Sequence, residues 1–215
     1  MSCSINLKNI SYKKDDYVLF ENVIIDLKHK EKIAIIGKNG VGKTTLLKII
    51  AGLQTPSAGT IELFHNRINS SDDFEKFRDK IAYLPQNINS FFLTISVIED
   101  VMFSLRTLGI NKEEAYKKSI DILKKLDILH LENRVIYELS GGEKKIVALA
   151  AILVKEPEIL LLDEPTNDLD ESSEKRVLEI LNNTEKSMII VSHKQAFLDK
   201  LVSKTYHLED KTLKY

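Results

Sequence analysis

Apolar and polar positions fall into short blocks along the chain. Runs rich in β-branched residues at 5–10, 32–36, 60–64 and 81–84 each end in glycine or polar residues and read as strands. The middle, from about residue 87 to 155, is helix-rich. KEEAYKKSIDILKKLDIL (112–129) places Ala115, Ser119, Ile122, Leu123 and Leu126 on one face, the spacing of an amphipathic helix. Two later apolar runs, EILLLD (158–163) and SMIIVS (187–192), flank the polar helix EKRVLEIL (174–181). Strand, helix and strand in alternation predict a mainly parallel sheet covered by helices, with the helical middle inserted into it.

Composition narrows the setting. The chain has 215 residues, 43 % hydrophobic and 29 % charged, with a formal net charge of −1. Such a balance suits a folded globular protein and lacks the basic excess of general nucleic-acid binders. The runs at 159–162 and 188–191 are far too short to span a bilayer. The N-terminus, MSCSINLKNI, lacks the charged-then-apolar pattern of a secretory signal. The single cysteine, Cys3, cannot form an internal disulfide, so a reducing cytoplasm is the expected setting and Cys3 is expected to be inert.

The chemistry begins where the second strand ends. GKNGVGKTT (37–45) fits G-x-x-x-x-G-K-[ST] at every fixed position, between an apolar strand and an apolar helix, LLKIIAG. Glycines there let backbone N–H groups wrap a phosphate, and the helix start adds the positive end of its dipole. Lys43 supplies a point charge to the β- and γ-phosphates, and Thr44 a hydroxyl to Mg²⁺. This segment alone specifies a nucleoside triphosphate site, which kinases, GTPases and motor ATPases share.

A second cluster follows four aliphatics. Asp163, at the strand tip, is placed to hold Mg²⁺, and Glu164 to orient or deprotonate an attacking water. The third cluster, Leu139-Ser140-Gly141-Gly142-Glu143, precedes the helix IVALAAILV. Ser140 and Glu143 have the spacing of a capping box, which suits any helix. Two glycines between them leave N–H groups bare at a helix start and suggest a second anion site.

With these motifs together the chain resembles the ABC ATPase family over nearly its whole length. LSGGE matches the family signature, normally LSGGQ, with Glu143 where glutamine is usual. Residues 159–164 match the Walker B segment with its catalytic glutamate, and 165–170, PTNDLD, the D-loop region. Gln86 looks like the Q-loop glutamine, which implies catalytic and Mg²⁺-binding roles, and His193 like the switch histidine. The resemblance implies a P-loop NTPase (RecA-like) α/β core with a mainly parallel sheet, an N-terminal antiparallel β portion and an inserted α-helical subdomain. As domains it implies one cassette over 1–215, with core at 1–87 and 156–215 and helical subdomain at 88–155.

The resemblance also implies a composite site between two cassettes. ATP lies on Gly37, Asn39, Gly40, Gly42, Lys43, Thr44 and Thr45 of one copy, while Ser140, Gly141 and Gly142 of the other close over it. Mg²⁺ falls to Thr44, Gln86 and Asp163, and catalysis to Glu164, His193 and Gln86. Adenine is expected to stack on an aromatic residue near the first strand, with Tyr12 the candidate.

QNINSFFLTISVIEDVMFSLRTLGINKEEA (86–115) is similar to the ATPases of energy-coupling-factor importers for cobalt, nickel and vitamins. Residues 96–101 and Leu108-Gly109 fall in register with that pattern, while Ile88 replaces its usual proline. Phe91, Phe92 and Leu93 suggest an exposed docking surface for another protein's helix. The implied setting is cytoplasmic, peripheral on the inner face of the cell membrane. The implied partners are an integral membrane transporter subunit and a second ATPase subunit, identical or paralogous, with no nucleic acid. The alternative is a soluble ABC ATPase acting on ribosomes or nucleic acid, since TNDLD is similar to the TNHLD of ribosome-associated members. An unrelated phosphate-loop kinase or switch GTPase is disfavoured by LSGGE, and no guanine-specifying N-K-x-D is apparent.

Overall fold

The computed structural model describes residues 3–215 without the side chain of Cys3, so the reading of that cysteine lies outside the described residues. In chain order the elements are β1 (Cys3–Lys14), β2 (Tyr17–Lys28), β3 (Lys32–Ile36), α1 (Lys43–Ile50), β4 (Ala58–Leu63), β5 (Asn66–Ile68), α2 (Ser71–Glu75) and β6 (Ile81–Leu84). Then follow α3 (Val97–Arg106), α4 (Lys112–Lys125), α5 (Gly141–Leu153), β7 (Ile159–Asp163), α6 (Glu171–Asn182), β8 (Ser187–Val191), α7 (Gln195–Leu198), β9 (Lys204–Glu209) and β10 (Thr212–Lys214). Contacts divide the chain into two compact units. One comprises the chain up to Tyr83 with Glu158–Glu164 and Glu185–Tyr215; the other comprises Leu84–Pro157 with Pro165–Thr184.

The first unit carries two sheets. One has the order β2-β1-β4-β5 with antiparallel pairing, the other the order β10-β9-β3-β8-β7-β6. In the larger sheet β7, β8, β3 and β9 run parallel, and β10 turns back antiparallel on β9. This is the mainly parallel sheet with an antiparallel N-terminal portion that the sequence predicts. β7 and β8 are buried at every position, as continuous aliphatic runs covered on both faces should be. Side chains of both sheets and of α1, among them Leu7, Ile35, Leu46, Ile50 and Leu161, join in one apolar cluster.

β2 was not singled out by pattern. Its buried Phe20, Val23, Ile25 and Leu27 are broken by a left-handed Asn22, with register shifts in its pairing to β1. The bulge interrupts strict alternation and hides a twelve-residue strand.

The second unit is helical. α4 buries Ala115, Ser119 and Leu123, on the face read from the sequence, while Ile122 is half-buried. α3 and α5 pack together, and α5, buried along most of its length, forms the unit's centre. Residues 165–184, expected with the core, cluster with this unit. Arg176 of α6 donates to the carbonyls of Leu126 and Asp127 at 2.7 Å each, closing the C-terminal end of α4.

Candidate functional site

β3 ends at Ile36, and the chain crosses to α1 through the glycine-rich turn. Gly37 lies so close to β9 that a Cβ there would stand 2.3 Å from the carbonyl oxygen of Leu208. No other residue fits that crossing without moving the sheet. Asn39 and Gly40 are exposed at the turn's tip, and Thr44 and Thr45 are half-buried in the first turn of α1. The N-cap of α1 is Gly42, left-handed and without a side-chain bond to the helix. The first N–H groups of α1 are thus left for a ligand or water.

Lys43 is buried, and its Nζ donates to the carbonyls of Gly37 at 2.7 Å and Lys38 at 2.9 Å. Burial lowers its pKa, and the negative charges of Glu164 and Asp163 oppose that shift. An ammonium group thus stands over the turn, folded back on its carbonyls.

The acids arrive at the tip of β7 in the same unit. Asp163 is 1 % exposed and Glu164 6 %. Burial raises the pKa of both, while hydrogen bonds from Thr44 and Tyr83 restrain the rise at Asp163 and the charge of His193 restrains it at Glu164. Glu164 takes a left-handed backbone, φ 49°, with its N–H donating to the Val191 carbonyl at 2.9 Å. That turn carries its carboxylate off the strand towards the second residue after β8. His193 Nε2 lies 3.3 Å from Glu164 Oε1, with the imidazole half-exposed.

Tyr83 of β6 belongs to no motif in the sequence. Its hydroxyl donates to Asp163 Oδ2 at 3.4 Å, and burial beside that carboxylate raises the phenol's pKa well above its usual range. Asp163 Oδ1 is buried without a hydrogen-bond partner among the described residues. A buried carboxylate oxygen left unpartnered, next to the Thr44 hydroxyl, is a hard-oxygen donor set that suits Mg²⁺. Among the described residues no group of three or more His, Cys, Asp or Glu converges as a metal cage.

Tyr12, in β1 of this unit, is half-buried. Its ring tilts against Phe20, with centroids 6.2 Å apart, and its hydroxyl is hydrogen-bonded to Gln54 Nε2.

The remaining predicted residues belong to the helical unit. Ser140 is the N-cap of α5. Its Oγ accepts from the Glu143 N–H at 3.3 Å, and its own N–H donates to Glu143 Oε2 at 2.8 Å. That is the capping box read from the sequence, and those bonds hold the Glu143 pKa below its usual value. Gly141 is exposed and open, whereas a Cβ on Gly142 would stand 2.3 Å from Ser173 Oγ. Asp170 caps α6, its Oδ1 accepting the N–H groups of Ser172 at 2.9 Å and Ser173 at 3.0 Å. The glycine pair therefore has two reasons: Gly141 stays open, and Gly142 lets α5 and the start of α6 touch.

Gln86 is exposed in side chain, and its carbonyl accepts from the buried Lys145 at 3.4 Å. In the stretch after it, Phe91 and Phe92 are half-buried, edge to face at 5.3 Å. The exposed apolar residues there are Leu93, at 69 %, and Ile95, at 67 %.

Comparison with known proteins agrees in kind. Residues 20–167 match the family described as ABC transporter. A relative in Brucella suis biovar 1, named as an ABC transporter ATP-binding protein, is 41 % identical over 206 residues, covering 96 % of this chain and 86 % of its own length. Among solved structures, CbiO1 from Clostridium perfringens, described as part of the ABC transporter complex CbiONQ, superposes with a TM-score of 0.88 at 28 % identity. The match covers 100 % of this chain and 88 % of that one. The dimeric ABC transporter cassette MJ0796 superposes with a TM-score of 0.89 at 26 % identity, covering 98 % of this chain and 97 % of that one. MJ0796 has also been solved in a post-hydrolysis state with ADP and Pi.

Proposed function

The chain belongs to the ABC transporter ATP-binding family and is an ATPase; from that premise we propose that it powers transport by closing two cassettes over ATP and reopening them after hydrolysis. The carrying observation is the buried group at the end of β7. Lys43, Asp163 and Glu164 stand together beside the glycine-rich turn, with His193 Nε2 3.3 Å from the Glu164 carboxylate.

Each residue has a role in this reading. The N–H groups of residues 37–45 and the Lys43 ammonium take the phosphates, for which Lys43 exchanges its two carbonyl partners. Thr44 and Asp163 would hold Mg²⁺, which on binding neutralises phosphate charge. Glu164 accepts the proton of the attacking water, and its burial makes it a stronger base than a surface glutamate. His193 orients it. Tyr12 stacks on adenine. Ser140, Gly141 and Gly142 of the second copy close over the γ-phosphate. The closed pair is favoured only while the triphosphate bridges it, so hydrolysis shifts the balance back to the open state.

The cargo reading is an importer for a metal ion or vitamin. It rests on residues 86–115 and on the similarity to CbiO1. The partner is an integral membrane subunit, which places the chain peripherally on the inner face of the cell membrane. No helix among the described residues is long and apolar enough to cross a membrane itself. The docking surface is the loop before α3. The buried Asp100 accepts from the N–H groups of Leu93 at 2.8 Å and Thr94 at 3.1 Å, which fixes the loop with Leu93 and Ile95 outward.

The deciding variant is Glu164→Gln. We expect ATP hydrolysis to fall about 10²- to 10³-fold, within the range for losing a general base, while ATP binding persists. Light scattering should then show an ATP-dependent dimer that wild type forms only transiently. Unchanged turnover would remove Glu164 from the role, and copurification with ribosomes in place of a membrane protein would overturn the transport reading.

A further inference from the structure

We propose that Tyr83 is a positioning residue for Asp163, holding one carboxylate oxygen so that the other is presented to the Mg²⁺ of a bound nucleotide. The inference rests on the nucleotide reading above and adds a residue that no motif contains.

The argument starts from the carboxylate. Asp163 is almost wholly buried at the tip of β7, and its two oxygens are treated differently. Oδ2 receives the Tyr83 hydroxyl at 3.4 Å, whereas Oδ1 is buried with no hydrogen-bond partner among the described residues. A carboxylate held at one oxygen has lost its freedom to turn about its Cβ–Cγ bond. The free oxygen then keeps one direction, as an ion that demands near-ideal geometry requires. Thr44 of α1 favours the ionised form of the same carboxylate. Tyr83 thus holds that carboxylate from β6.

The plain alternative is that Tyr83 merely fills space. Its ring does pack against the apolar cluster, with Ile81 of the same strand. A phenylalanine would do that equally well. The phenol adds only a hydroxyl, and in the half-buried strand β6 that hydroxyl bonds to Asp163. The bond is long for an O–H donor, so the expected contribution lies at the low end for outer-shell partners.

The test is Tyr83→Phe in the full chain, in a Glu164→Gln background that keeps ATP intact. Mn²⁺ binding to the ATP complex is read by electron paramagnetic resonance, and ATP affinity in EDTA by a fluorescent analogue. The expected result is a Mn²⁺ dissociation constant raised about tenfold, with affinity in EDTA unchanged. In an Asp163→Asn background the same change should do nothing further, since the group it positions is gone. Unchanged Mn²⁺ affinity would overturn the proposal. So would an equal loss of nucleotide affinity in EDTA, which marks a structural role. A parent protein that binds no ATP under either condition would instead sink the nucleotide reading, and this inference with it.

Discussion

Two helix starts, both proposed to meet phosphate, are finished to different degrees. α1 begins at Gly42 with no side-chain cap, beside a buried lysine and two buried acids whose pKa shifts all run against their charged forms. α5 begins at Ser140 with a closed capping box, and its acid, Glu143, is held in the ionised form. The first is costly to keep in the absence of a ligand; the second satisfies itself. Protein stability is given up where a ligand must supply the missing partners, and retained where the element only has to be presented.

Two of the glycines without room for a side chain separate the cases most sharply. At both Gly37 and Gly142 an added Cβ would meet an oxygen at 2.3 Å. At Gly37 that oxygen is the Leu208 carbonyl, fixed by the pairing of β3 with β9. At Gly142 it is a serine hydroxyl, which can rotate, although Ser173 Cβ at 2.9 Å must also give way. Gly37→Ala should therefore displace the turn and lower ATP affinity by about 100-fold, equivalent to about 2.7 kcal/mol and within the cost of overpacking a fixed site. Gly142→Ala should leave that affinity intact and weaken only ATP-dependent pairing, by about tenfold. Adding Ser173→Gly should restore the pairing. If Gly37→Ala bound ATP normally, the contrast between fixed and yielding neighbours would fail.

Most of this division is legible in the sequence, and the exceptions have physical reasons. The strands around the nucleotide site are continuous aliphatic runs, and the glycine-rich turn and the Asp163-Glu164 pair sit at their tips, so period and punctuation find them. The capping box is a local device and reads directly from Ser140 and Glu143. Three features were not fully legible. The bulge at Asn22 breaks the alternation of β2. The exposure after Gln86 is legible only in part: Leu93 faces out as expected, with Ile95, but Phe91 and Phe92 are half-buried, in a loop that the buried Asp100 fixes. Tyr83 meets Asp163 across a sheet, eighty residues away in sequence, a pairing no local pattern encodes.

The cost at the first site should be measurable without nucleotide. Burial raises the Asp163 pKa, so the folded chain binds that proton more tightly than the unfolded chain does. Its contribution to stability therefore falls as pH rises from the unfolded value of 3.8 to the folded one, and stays low above it. Asparagine carries no such penalty. Asp163→Asn should melt about 2–4 °C higher than wild type near neutral pH, a gain of about 1 kcal/mol for relieving a strained functional position. The advantage should shrink as pH falls through the folded pKa and vanish where aspartate is neutral in both states. Equal melting temperatures at every pH would mean that the buried acid is fully compensated in the empty protein.

The second helix start should respond in the opposite sense and more weakly. Glu143 stands where the family usually has glutamine, and its carboxylate accepts the Ser140 N–H at 2.8 Å. Glutamine keeps an acceptor there, so the capping box survives, but the favourable meeting of a negative charge with the α5 dipole is lost. Glu143→Gln should lower stability by about 0.3–1 kcal/mol. The same charge lies beside the glycines proposed to receive another copy's γ-phosphate, so removing it should tighten ATP-dependent pairing by about twofold to fivefold. Sedimentation of Glu164→Gln with and without Glu143→Gln separates the two effects. The gain in pairing should fade between low and high salt, because exposed charges are screened over about a Debye length. A salt-independent gain would trace the change to packing and not to charge. Weaker pairing would mean that the carboxylate is itself a required contact, and the second helix start would then be as unfinished as the first.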